Sequence, residues 1–261
     1  MEGYLGIEPQ TALWLAATGL VAGLCNALAG GGTFFTFPAF LGAGLPPVVA
    51  NASNAIAVWP GHAFAAIGYR TELRALRKGL TGAAIAALAG GICGAWLLVV
   101  IEDDAFARMI PFLLLAATLL FAGGERVNRR LAARTGAGRG RAAALIQHGC
   151  LFVFSLYGGF FGAGLGVILM AGLLMLGVTD LAANNALKNL LGAIITSVAV
   201  GVFAFSGLVS WPHTLIALAG AAAGGVLGAR VAHRLSAVWL RRVVIAVGLS
   251  LSLYYFGRYY N

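Results

Sequence analysis

Charge is what this chain has least of. Among its 261 residues only 10% are Asp, Glu, Lys or Arg, where soluble domains carry roughly 25%. Between Pro9 and Tyr69 there is none at all. Carboxylates are the scarcer sign: there are eight, and Asp180 is the only one beyond Glu125. This argues against a membrane-embedded hydrolase, which needs a paired acid and base, a nucleophile with its base, or a metal set. No His-Glu-x-x-His occurs, no Cys/His cluster, and no Walker-type sequence through which the chain would use ATP. The three cysteines, Cys25, Cys93 and Cys150, are odd in number and lie in apolar runs, so they supply neither a disulfide framework nor metal spacing. No cofactor is called for. The opening MEGYLGIEPQ lacks the basic residues of a cleaved signal peptide.

What fills the chain instead is apolar: 61% hydrophobic residues, with a mean hydropathy of +0.92. Several stretches reach the roughly 18 uncharged residues that read as a membrane span. The pattern predicts an all-α polytopic membrane protein. Five apolar segments, 11–30, 33–44, 48–69, 79–101 and 105–122, precede a basic stretch. Five more follow, at 142–161, 164–177, 181–206, 213–232 and 237–256. The expected organisation is a first repeat at 1–122, a basic cytoplasmic linker at 123–141 and a second repeat at 142–261.

The basic residues set the orientation. Net charge is +9, but the arginines sit in short loops between apolar segments. That is the positive-inside pattern rather than a nucleic-acid surface. Arg70, Arg74, Arg77 and Lys78 place 69–79 in the cytoplasm, as do the arginines of 123–141 and 229–242. The loop Glu102-Asp103-Asp104, the uncharged 206–213 and both termini then lie outside. Corresponding loops of the two halves fall on opposite sides. Cysteines introduced at 103 and 135 are therefore expected to react with an impermeant thiol reagent from opposite faces.

The halves also match in sequence at an offset of 133 to 135 residues. GGICGAWL (90–97) matches GGVLGARV (224–231), and GLPPVVANASNA (44–55) matches GVTDLAANNALK (177–188). Matching sequence with opposite orientation is the inverted repeat of many secondary transporters. The segment AGLCNALAGGGTFFTFPAFLGAGLPPVVANASNA (22–55), with GGFFGAGLG (158–166) and AANNALKN (182–189), resembles the two signatures of the sulfite exporter TauE/SafE family, also called the toluene sulfonate uptake permeases. Ser53 stands where Thr is commoner and Ala55 where many relatives have Lys. The resemblance implies transport of a small sulfur-containing anion such as sulfite or an organosulfonate, by a multi-pass protein of the inner (plasma) membrane.

Gly30, Gly31 and Gly32 interrupt an apolar run, and Gly162, Gly164 and Gly166 do so in the second half. Two readings stand. Small residues allow close helix packing. Alternatively the glycines break or re-enter the helix near the midplane and leave half-helices from Thr33 and near Gly164. The free N–H groups and positive dipole end of such half-helices attract anions.

The polar residues of the apolar segments complete the candidate substrate site: Asn51, Ser53 and Asn54, then Asn184, Asn185 and Lys188. Amide groups supply oxyanion donors, although Asn is also a favoured N-cap. Lys188 either faces an anion or snorkels to the interface. His62 and Asp180 are the candidates for carrying a coupling proton; Asp180 is equally a helix cap and His62 a core histidine. An anion channel or uniporter built on the same half-helices is the alternative to a proton-coupled or gradient-driven carrier. The expected partners are a small anion and the lipid bilayer, with no nucleic acid. The sequence fits a monomer or a homodimer.

Overall fold

The computed structural model describes residues 7–28, 31–68, 73, 80–134, 141–231 and 237–260. Within them lie ten helices: α1 (Pro9–Leu28), α2 (Thr33–Gly42), α3 (Pro47–Gly68), α4 (Leu80–Val100) and α5 (Asp103–Arg134), then α6 (Arg141–Phe160), α7 (Leu165–Met175), α8 (Leu181–Ser206), α9 (Trp211–Val231) and α10 (Ala237–Tyr260). Gly30 and the loop arginines of 70–78 lie outside the described residues. The chain is an all-α polytopic membrane protein. Four described stretches, Thr81–Val100, Asp103–Gly124, Ala182–Ser206 and Trp239–Tyr260, are long and apolar enough to cross a bilayer.

Local chemistry sets the helix ends. Pro9 and Pro47 open α1 and α3, where a missing N–H costs nothing. Asp103 Oδ1 accepts from Val48 N at 2.8 Å, so a carboxylate at the start of α5 caps α3. Gly44 and Gly177 both take φ +84°, a left-handed conformation open to glycine. They end α2 and α7 by the same three hydrogen bonds at an offset of 133. Ala43, Gly44 and Leu45 N–H donate to Ala39, Leu41 and Phe40 carbonyls, as Leu176, Gly177 and Val178 do to Gly172, Leu174 and Leu173.

Two segments are re-entrant, a reading the sequence left open. α2 and α7 have 10 and 11 residues, about 15–17 Å at 1.5 Å per residue, half of the roughly 30 Å hydrocarbon core. Both fold back. Gly42 at the end of α2 lies beside Trp14 near the start of α1, and Gln147 Nε2 on α6 donates to Met175 O at the end of α7, 2.8 Å. They are re-entrant arms of hairpins rather than crossings. α5 in turn continues through Gly123 and Gly124 to Arg134, into the stretch read as linker. ERVNRRLAAR after the glycines is rich in helix formers, which carry the helix on once the apolar part has ended.

Most packing pairs map onto one another when the halves are exchanged. α1 packs on α9 as α6 packs on α4; α9 on α3 as α4 on α8; α2 on α3 as α7 on α8. α3–α8 and α5–α10 are the self-matched pairs. The halves thus interlock, each lending its first helix to the other's fourth. Glycines make this possible. A Cβ on Gly220 or Gly224 of α9 would strike the carbonyls of Ala16 or Leu20, and one on Gly90 or Gly94 of α4 those of Phe152 or Leu156. With no hydrophobic drive between helices in lipid, such close backbone approach supplies the packing energy. Large apolar side chains such as Phe205, Leu145 and Leu13 point outward, while Thr36, Asn51, Ser53, Asn54 and Asn184 are buried. That distribution suits a lipid solvent.

Candidate functional site: two broken hairpins

Both glycine stretches break the helix. Gly31 takes φ +87° and Gly164 φ +72°, again 133 residues apart, with Gly162 at +75°. Gly32 and Gly164 are the residues before α2 and α7, and neither helix start has a side-chain cap of its own. Gly166 lies inside the first turn of α7 rather than in the break. The two breaks approach the same helix: Gly31 lies against Phe121 and Gly164 against Ala117, four residues apart on α5. Tyr157 Oη donates to Ala163 O at 2.7 Å and braces the second break. The only sequence signal for this is an aromatic hydroxyl just before the glycines.

The two half-helix starts are not equivalent. At α2, Gly32 N donates to Asn26 Oδ1 at 2.7 Å. A side chain of the preceding helix already fills the place an anion would take. Thr36, two residues inside Thr33 and Phe34, donates its hydroxyl to Asn54 Oδ1 on α3, so Asn54 is committed to holding α2. At α7, Leu165 N donates to Gly162 O and Val167 N to Gly164 O. Gly166 N–H has no protein acceptor among the described residues.

Lys188 lies at that open end. Its stem passes Gly166 so closely that a Cβ there would sit 3.7 Å from Lys188 Cδ. Its ammonium donates to Asn185 Oδ1 at 3.0 Å. His62 on α3 lies beside Gly192, one turn along α8 from Lys188, within electrostatic range of the lysine. The structure therefore brings Gly164, Gly166, Asn185, Lys188 and His62 together, and places Gly31, Gly32 and Thr33 with Asn26 and Thr36 at the other break.

The remaining candidates have structural partners. Asn51 and Asn184 are the fifth and fourth residues of α3 and α8, so neither is an N-cap. Asn51 Nδ2 donates to Phe160 O at 2.8 Å; Asn184 Nδ2 donates to Val178 O at 3.0 Å and Met170 O at 3.4 Å. Ser53 Oγ accepts from Ser210 N at 3.1 Å. Asp180 is the N-cap of α8, its Oδ2 accepting from Ala183 N at 2.7 Å. Asp180→Ala is thus expected to cost about 1 kcal/mol of stability, the usual worth of such a cap, read as a small drop in thermal midpoint. Phe37, Phe106, Phe160 and Phe161 stack edge to face, with centroids 5.4 Å apart for Phe37–Phe161 and 5.5 Å for Phe106–Phe160. They are nearly or fully buried, so they are core rather than a stacking surface.

A family model described as sulfite exporter TauE/SafE matches residues 15–255. Among curated proteins, the chain is 29% identical to "Probable membrane transporter protein ORF9" of a Sinorhizobium species over 253 residues, 92% of this chain and 90% of that one. It is 25% identical to a "Probable membrane transporter protein" of Haemophilus influenzae, over 91% of each. It is 27% identical to "Probable membrane transporter protein YfcA" of Escherichia coli, over 89% of this chain and 85% of that one. No solved structure matches it.

Proposed function

We propose, from the premise that this chain belongs to the sulfite exporter TauE/SafE family of membrane transporters, that it is a secondary carrier of one small sulfur-containing anion per cycle, bound at the start of α7. The observation that carries this reading is the Lys188 stem packed on the uncapped first turn of a half-helix. A half-helix start in a transporter meets anionic substrate groups, and a half-buried cation there is stabilised by the anion it faces. The dipole of α7 adds about 0.3–1 kcal/mol, up to about 2 where partly buried. A charge-assisted hydrogen bond adds about 1.5–3 kcal/mol, so the lysine outweighs the helix end.

Asn26 supports the choice of a single site, because a side chain occupies the start of α2, whereas the start of α7 is closed only by its own backbone and has Lys188 beside it. The exchange of packing pairs supports two related halves, and the basic loops support their opposite orientation in the inner (plasma) membrane. His62, which lies beside Gly192 one turn along α8 from Lys188, is the candidate carrier of a coupling proton. Binding to the purified protein, compared across sulfite, sulfate, thiosulfate and alkyl or aryl sulfonates, tests the reading. Binding of at least one sulfur anion, weakened by the lysine substitution described below, is expected. Indifference to the whole panel would reject the assignment.

A further inference from the structure

The most informative departure from repeat symmetry lies in two buried amides. Asn51 and Asn184 are 133 residues apart, 2% and 1% exposed. Each is held only through Nδ2, and each Oδ1 is buried without a partner. Their acceptors differ. Asn184 bonds within its own half, to Val178 O in the turn after α7. Asn51 instead crosses to the other half and bonds Phe160 O, the last residue before the second break.

The repeat equivalent of Val178 is Leu45, in a turn with the same three backbone hydrogen bonds, and Leu45 O accepts no hydrogen bond among the described residues. The equivalent of Phe160 is Ala27, near the end of α1. The aromatic cluster follows the same asymmetry. Phe37, Phe106, Phe160 and Phe161 close around the break that Asn51 holds, whereas their equivalents are Met170, Trp239, Ala27 and Leu28.

We infer that Asn51 and Asn184 are alternating latches that set which side of the carrier is closed. In the state described here, Asn51 holds Phe160 O and seals the second break while Asn184 rests on its own turn. In the opposite state Asn184 holds Ala27 O and Asn51 rests on Leu45 O. The inference builds on the carrier reading above, in which exchange between repeat conformations moves the access path. An amide tied by one end, with an equivalent acceptor free in its own half, needs only a swing of its own helix to change partners. Both residues act by positioning the halves, and neither touches the anion.

Hydrogen exchange of the purified protein in lipid nanodiscs, without any substrate, tests this. Asn51→Leu keeps the bulk, removes the donor and leaves Phe160 O unpaired. It is expected to speed exchange in residues 157–166 severalfold, because the amide loses a bond to buried Phe160 in this state but only a bond to the half-exposed turn at Leu45 in the other, with residues 83–98 of α4 unchanged. Asn184→Leu removes the latch of the opposite state and is expected to slow exchange in 157–166 by a similar factor, since the population shifts toward the state that remains latched. Asn51→Ser and Asn184→Ser provide the same pair of readings should leucine block folding. Changes of the same sign in both variants, or acceleration that spreads equally into α4, would mean that the amides merely stabilise the fold. The measurement involves no anion, so it stands or falls apart from the anion panel.

Discussion

Truncating Lys188 to alanine is expected to weaken sulfite binding by about tenfold to a hundredfold while the protein still inserts and purifies. The range follows from the loss of about 1.5–3 kcal/mol for a hydrogen bond to a charged group, at 1.4 kcal/mol per tenfold. Water screens little at this place. Two unit charges 4 Å apart interact by about 4 kcal/mol at an effective dielectric constant of 20, against about 1 in bulk water. What remains in the variant is the α7 start with its open Gly166 N–H, so binding weakens rather than vanishing. Insertion survives because removing a cation from an apolar helix lowers the cost of placing that helix in lipid. Arg258→Ala, at the far end of α10 beside Tyr259, is the control and should leave affinity unchanged. Isothermal titration of wild type and both variants with sulfite checks the ratio. Wild-type affinity in Lys188→Ala would remove the lysine from the site.

Gly224→Leu is expected to abolish recovery of folded protein. α1 and α9 touch backbone to backbone here, and the first atom of any side chain would fall on Leu20 O and Leu20 Cα. The obstacle is main chain, so no rotamer change relieves it and the helices must separate. Overpacking a core costs about 1–3 kcal/mol where neighbours can shift. A forced separation also undoes the reciprocal fits of Gly19, Gly23 and Gly220 along the same seam, against a total stability of only about 5–15 kcal/mol. The adjacent Gly225→Leu is the matched control, because nothing lies within 4 Å of a Cβ there. Size-exclusion yield in mild detergent distinguishes the two: loss of the monodisperse peak for position 224 and near-normal recovery for 225.

Helix positions were legible because apolar runs, prolines at starts and glycines at ends act locally. The breaks at Gly31 and Gly164 were only partly legible, because close glycines in an apolar run permit either a break or close packing: Gly90, Gly91 and Gly94 stay inside α4 and serve packing. The repeat was legible, and it reappears in matched φ angles and matched turn hydrogen bonds. The half-length of α2 and α7 was only partly legible, since 12 to 14 apolar residues fit a crossing or a return equally well. The extension of α5 to Arg134 was missed because Gly123 and Gly124 look like a stop, yet the residues after them favour helix.

At the site, spacing alone suggested two similar anion ends. What separates them is Asn26, whose side chain reaches six residues ahead to Gly32 N. Nothing in the sequence reveals that this asparagine fills the α2 end. Asn51, Ser53 and Asn54 look alike in sequence. They diverge in space because successive helical positions face three different neighbours: Phe160 on α6, Ser210 before α9 and Thr36 on α2. Lys188 was identifiable as a lone cation well inside an apolar segment. Its proximity to His62 required the α3–α8 packing.

The central claim is carrier-type movement of a sulfur anion, and counterflow measures it most directly. Proteoliposomes loaded with unlabelled sulfite are diluted into labelled sulfite, and uptake is followed against external concentration. The account predicts label uptake that saturates with external sulfite and is accelerated by sulfite inside, because one site must return after each delivery. Uptake that rises linearly with concentration and ignores the internal anion would contradict it and identify a channel.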